Sequence, residues 1–322
     1  DPSFHQLGDW LDPSAPPDRP GESRTDGTFV ADAYLLHVTD IMGQISKVLG
    51  NMGEAAKYAL DYKIAKKAFS RKYITIDGLL VADTQTGLAL AIVFNLFKTP
   101  DQAKVAAARL ERAVKLADFK VASGFAGTPI ITHALTSVGL QNLAYRMLFE
   151  QECPSWLYPI TQGATTIWER WNSMLPDGSI NPGEMTSFNH YALGSIVNWL
   201  HEVVGGISPL EPGWKKSLIR PVPGGSLNSA KVEHDTPYGT LSCSWSVEAG
   251  KFKLTLTIPP NTSASVVMPN KQASKILGHA EEGLEVGSGT YSFECDHIPE
   301  RLRPKAIPIP FYTKIKEETW FD

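Results

Sequence analysis

Cysteine is scarce in this chain, neither sign of charge is in excess, and no apolar run is long. The three cysteines, Cys153, Cys243 and Cys295, are odd in number and far apart, which excludes a disulfide framework and any thiolate metal site of ordinary spacing. One disulfide stays open, with Cys243 and Cys295 as the candidate pair. Lys plus Arg number 30 and Asp plus Glu 34, a formal net charge of −4, so the basic excess of a nucleic-acid scaffold is missing. The longest apolar stretch, 87–97, falls far short of the ~20 residues that span a bilayer, and no transmembrane helix or membrane partner is expected. No GxGxxG, P-loop, HExxH or GxSxG string occurs. Dinucleotide, ATP, zincin and serine-hydrolase chemistry lose support, and no cofactor or metal is expected.

What is present suits a globular protein. The 322 residues, 43% apolar and 20% charged, suffice for about two domains with a core that needs no cross-link. Eight Trp and ten Tyr fit a carbohydrate or other aromatic-lined site. The chain starts at Asp1 without Met or signal peptide and reads as a processed product or a piece of a longer protein. Residues 1–25 are irregular, with a Pro-rich run at 12–21 in which no helix persists. Apolar periodicity then predicts six helices. They cover 26–50; 53–69 with Ala56, Leu60, Ile64 and Phe69 inward; 84–97, apolar nearly all round; 100–118; 131–151; and 186–204. Thr99 and Gln102 form a capping box around Pro100. Residues 152–186 make a long non-helical insertion, and such loops are usually functional.

The absence of strand–helix–strand alternation disfavours Rossmann and TIM folds, and the absence of a fixed-period repeat weakens a solenoid, which leaves an α/α toroid. Six helices close only half of one. The inward faces of the third and fifth then meet solvent, and association with a partner fragment or with a second copy is expected. Beyond 206, Pro209, Pro212, Pro221, Pro223, Gly224 and Gly225 mark a linker. Strands at 230–235, 240–248, 251–258, 263–268 and 290–295 predict a small antiparallel β-sandwich. The proline-bearing tail from 296 reads as a surface extension or as partly disordered.

The densest chemistry lies in the insertion, where Glu169 stands between Trp168 and Trp171. Sugars pack C–H faces on aromatic rings, and a nearby carboxylate can serve as base or nucleophile at an acetal centre. The same residues also read as two core indoles beside a surface Glu169–Arg170 pair. His190, in Ser187-Phe188-Asn189-His190-Tyr191-Ala192, lines the same mouth or is a structural hydrogen-bonder near a helix start. Asp9 and Trp10 form a second acidic–aromatic cluster or a loop anchor. The two glycines of 124–129 read as turn chemistry.

In order, Asp9-Trp10-Leu11-Asp12-Pro13, residues 124–129, Pro154-Ser155-Trp156-Leu157-Tyr158, the Gly-Ala-Thr-Thr-Ile-Trp-Glu-Arg-Trp string at 163–171 and 187–192 resemble the inverting α-L-rhamnosidases. Thr236-Pro237-Tyr238-Gly239 and Pro260-Asn261-Thr262 match their C-terminal β-domain, so the resemblance covers about 5–295. It implies a partial (α/α)6 toroid, the C-terminal half of the catalytic barrel, over 1–207, a β-sandwich over 208–295 and a Pro-rich extension over 296–322. It further implies hydrolysis of terminal α-L-rhamnose from a rhamnose-containing glycoside. Glu169 matches the general base, His190 a sugar-binding histidine twenty-one residues on, and Trp10 a subsite aromatic; Asp9, Trp168 and Trp171 join the substrate-binding set. The family's Arg-Asp-Glu-Arg type string, which carries the general acid, is absent. This implies a second fragment bearing the N-terminal half of the barrel, or a chain incomplete for catalysis. The rivals are a non-catalytic carbohydrate-binding or scaffold fragment and another α/α-toroid glycosidase or lyase. Localisation stays open between secreted and cytoplasmic, since few cysteines fit either compartment, with the Asn261-Thr262-Ser263 sequon a slight lean toward secretion.

Overall fold

The computed structural model describes residues 6–16, 18–269 and 283–296. The chain divides into two compact units between Gly194 and Ser195. The first is helical. Asp26 caps α1 (Gly27–Val48), its side chain accepting from the Phe29 backbone N–H. α2 (Met52–Tyr73) folds back on it. The aromatic core of the pair lies at one end, where Phe29 meets Phe69 and Tyr73 at ring-centroid distances of 5.3 and 5.0 Å. Farther along, Ile41, Ile45, Val48, Leu60 and Ile64 are exposed. Leu60 and Ile64 were expected inward, as was Ala56, which is also exposed. The apolar period is there, but among the described residues nothing of this chain covers that face.

α3 (Gln85–Val93) is buried from Gln85 to Ile92. Its expected solvent-facing side is therefore not found, because α4 (Pro100–Leu116) and α5 (Ile131–Ser137) pack on it. Thr99 caps α4 by accepting from Gln102 N–H, but Gln102 Oε1 reaches back to Lys98 N–H rather than to Thr99. The expected 131–151 helix is two, α5 and α6 (Gln141–Leu148), because Gly139 between them adopts φ +80° and ends the first. The insertion contains a short helix, α7 (Leu157–Thr161). The final helical stretch starts at Ala192, not 186, and passes through 310 (Ala192–Ser195), α8 (Ile196–Trp199) and π (Leu200–Val204) turns. Residues 187–190 are taken instead by pairing with the 166–169 segment.

The second unit holds a β-sandwich of two four-stranded sheets. One sheet has the order β1 (Ile207–Pro209), β2 (Lys216–Ile219), β6 (Ser263–Val266), β7 (Leu284–Val286). The other runs β3 (Ser229–Thr236), β4 (Gly239–Glu248), β5 (Lys251–Ile258), β8 (Gly289–Asp296). The expected linker therefore carries β1 and β2, and β2 pairs with β6 in parallel, so the sandwich is not wholly antiparallel. The β4–β5 hairpin turns at Ala249-Gly250, and Phe252, Leu254, Leu256 and Ile258 point inward by strict alternation. Cys243 and Cys295 form no disulfide. β5 lies between their strands, with Cys243 opposite Leu256 and Cys295 opposite Phe252, too far apart to bridge. Beyond Asp296 the expected tail extension lies outside the described residues.

Candidate active site

Backbone pairing explains the spacing between Glu169 and His190. Glu169 N–H donates to Ser187 O at 2.9 Å and His190 N–H to Ile167 O at 2.8 Å. Thr166 Oγ1 donates to Phe188 O, and Ser187 N–H donates to Glu169 Oε2 at 3.2 Å. Segments 166–169 and 187–190 thus run side by side, and the intervening residues are a loop whose ends they clamp. The Ser187 bond fixes the Glu169 carboxylate at the rim of a 670 Å3 cleft. Asp12, Arg24, Arg170, Asn172 and Asn181 supply polar lining, and Leu11, Pro154 and Trp171 an apolar wall. Burial lowers the Arg170 pKa, opposed by the Glu169 charge.

Both indoles beside Glu169 are buried. Trp168 packs edge-on against Phe188 at 5.2 Å, and Trp171 against Trp156 at 5.7 Å. Trp156 Nε1 in turn donates to Leu193 O at 3.2 Å. Trp168 and Trp171, which belong to the expected substrate-binding set, are 3% and 5% exposed, and Trp171 is among the residues that line the cleft.

His190 is oriented on three sides. Its Nδ1 accepts from Ala192 N–H at 3.3 Å, which places the proton of the neutral ring on Nε2 and leaves that nitrogen as a donor. Phe125 lies against the ring at 5.2 Å and Tyr191 stacks on it at 4.8 Å. Phe125 was not singled out in the sequence; its only signal there is its place between Gly124 and Gly127.

Asp9 has no exposure and four donors. Gly124 N–H (2.8 Å) and the Thr86 hydroxyl (2.5 Å) reach Oδ2, and Ala126 and Gly127 N–H (both 3.0 Å) reach Oδ1. With both oxygens so engaged, Asp9 anchors the 124–127 backbone and Thr86, and no part of it is exposed. Gly124 permits the approach, since a Cβ there would lie 2.3 Å from the carbonyls of Asp9 and Trp10. Trp10 is half-buried beside this anchor, with its carbonyl accepting from Phe125 N–H at 2.8 Å. Asp9, Trp10 and His190 do not line the cleft that holds Glu169.

Asp9→Ala leaves three backbone N–H groups and a hydroxyl, most of them buried, without their acceptor, and is expected to cost about 4 kcal/mol of unfolding free energy. Urea denaturation measures this, and a loss below about 1 kcal/mol would contradict the anchor role. Burial also raises the Asp9 pKa from 3.8 to about 6 despite the donors. A group that holds its proton more tightly when folded contributes stability that is full below its unfolded pKa and lost as pH rises through its folded one. Unfolding free energy is thus expected to fall between pH 4 and pH 6 through this group, and Asp9→Ala to remove that slope.

Family models for the bacterial α-L-rhamnosidase 6-hairpin glycosidase domain and C-terminal domain match residues 1–204 and 206–282. An α-L-rhamnosidase of Streptomyces avermitilis is 38% identical over 297 residues, covering 89% of this chain and 28% of that protein. One from Formosa agariphila is 35% identical, with 85% and 29% covered. The crystal structure of native α-L-rhamnosidase from Aspergillus terreus superposes with a TM-score of 0.86 at 47% identity, over 91% of this chain and 33% of that one. That of the Streptomyces avermitilis enzyme complexed with L-rhamnose gives 0.78 at 36% identity, over 90% and 28%. The chain spans under a third of the length of these curated relatives.

Proposed function

The chain belongs to the bacterial α-L-rhamnosidase family, and from that premise we propose that it supplies the base side of an inverting hydrolysis of terminal α-L-rhamnosides. The observation that carries this is the Glu169 carboxylate, held at a cleft by Ser187 N–H on a segment clamped to the His190 segment. Glu169 takes a proton from a water as that water attacks the anomeric carbon, and the bond to the leaving oxygen breaks as an acid protonates it. Such a pair of carboxyl groups stands about 6.5–9.5 Å apart to admit the water. The acid comes from outside this chain. His190 donates through Nε2 to a sugar hydroxyl, and Trp10 offers a ring to the substrate. Asp9, Trp168 and Trp171 hold the loops in place.

NMR of freshly released sugar from an enzyme containing this chain tests the reading. β-L-rhamnose is expected first, and α-L-rhamnose first would overturn the inverting assignment.

The partner reading follows from the exposed face of α1 and α2. Ile41, Ile45, Val48, Leu60 and Ile64 form an apolar surface of the kind that soluble monomers rarely leave open. We assign its cover to the barrel portion that the longer relatives have beyond this chain's span. The isolated chain is expected to self-associate and to bind an apolar dye. Ile45→Lys with Leu60→Lys should relieve both without lowering Tm. A monomer in light scattering with no dye binding would contradict this.

A further inference from the structure

Asn261-Thr262-Ser263 is the single Asn-x-Ser/Thr string in the chain, and the hydrolysis proposed above makes no use of it. The fold places it at the turn between β5 and β6, where Asn261 is exposed with φ +59°. Three hydrogen bonds hold that turn, and none uses the Asn261 side chain. Lys215 Nζ donates to the Asn261 carbonyl, the buried Thr262 hydroxyl donates to Pro259 O at 2.7 Å, and Ser263 N–H donates to Lys215 O at 3.2 Å. The backbone is thus pinned while the side-chain amide faces solvent. Around it stand exposed Pro260 and Lys215 and the part-exposed ring of Tyr238, whose centroid lies 5.0 Å from Lys215 Nζ. That ring offers an apolar face beside the turn.

We propose that Asn261 is an N-glycosylation site, used when the chain is made through a secretory lumen that holds an oligosaccharyltransferase and a polyprenyl-diphosphate-linked oligosaccharide. The anomeric carbon of the donor's first N-acetylhexosamine exchanges its bond to the diphosphate oxygen for one to Asn261 Nδ2. The amide gives up one proton, and polyprenyl diphosphate leaves. The middle residue is Thr262, not proline, and the Ser263 hydroxyl completes the acceptor. The folded turn then carries the glycan outward, with its first sugar beside Tyr238.

A purely structural role accounts for two of the three residues. Asn tolerates a left-handed φ, and Thr262 supplies a buried bond. Neither account needs the hydroxyl of Ser263, and that separates the readings. The test is expression of the full chain through a yeast secretory pathway, with intact mass read on both lumenal and secreted protein. Most molecules are expected to exceed the polypeptide mass by a glycan that peptide-N-glycosidase removes, leaving an 18O-labelled Asp at position 261 when the digestion is run in labelled water. Ser263→Ala keeps Asn261 and its turn and should abolish the added mass, as should Asn261→Gln. Lumenal and secreted wild-type chain at the bare polypeptide mass, or a glycan that persists in Ser263→Ala, overturns the proposal.

Discussion

Glu169→Gln is expected to lower kcat by at least ~10^2-fold in an enzyme that contains this chain and its acid partner, with KM nearly unchanged. Gln keeps the size of the side chain and one acceptor for Ser187 N–H, so the clamp between the two segments survives. It cannot take a proton from the attacking water. That loss belongs to the transition state, so it appears in kcat and kcat/KM together and spares ground-state binding. If Glu169 were only a surface partner of Arg170, the kinetics would be untouched and Tm would move instead. Measuring kcat, KM and Tm on one preparation separates the two, and full activity in the variant would end the assignment.

Negligible hydrolysis of aryl rhamnosides is expected from the isolated 322-residue chain. Of the two carboxyl groups such a reaction needs, Glu169 is the one proposed from this chain, and the other acids that line its cleft or lie near it have partners of their own; Glu22, on the cleft, pairs with Arg19. Asp9 is buried on four donors, and Asp12 accepts from Ser14 N–H, the Ser14 hydroxyl and Arg24 N–H. Loss of a general acid costs typically 10^2 to 10^4-fold, and the far side of the sugar site is lost with it. Turnover by the isolated chain near that of ordinary glycosidases would mean that a carboxylate such as Asp12 serves as acid. Asp12→Asn would then abolish it.

Where the determinants are local, the residues were readable. Thr99 caps its helix as a short polar side chain before an apolar period does, and Asp26 and Thr84, where two helices were expected to start, cap theirs. β5 alternates as written because one of its faces is buried. The failures have long-range causes. Residues 131–151 carry a continuous apolar pattern, yet Gly139 breaks it, because a glycine's left-handed turn is a choice that tertiary packing makes. β1 and β2 are short and flanked by prolines, and only pairing with β6 and each other makes them strands. Leu60 and Ile64 have the right period for a core whose cover the described residues do not supply. At the site, Trp168, Glu169, Trp171 and His190 stood out by composition. Which of them support and which face the cleft depended on the 166–169 and 187–190 pairing, which no local signal encodes. Asp9 likewise drew notice as an acid near an aromatic, and its role as an anchor appears only with the 124–127 backbone beside it.

Complementation tests the central assignment most directly. This chain, as wild type and as Glu169→Gln, is mixed with a separately produced barrel portion of the family that carries the acidic string, and rhamnose release from an aryl rhamnoside is followed. Turnover is expected from the wild-type pair and from neither component alone, with the Glu169→Gln pair at least ~10^2-fold slower. Turnover by this chain without a partner, or equal turnover from the two pairs, would contradict it.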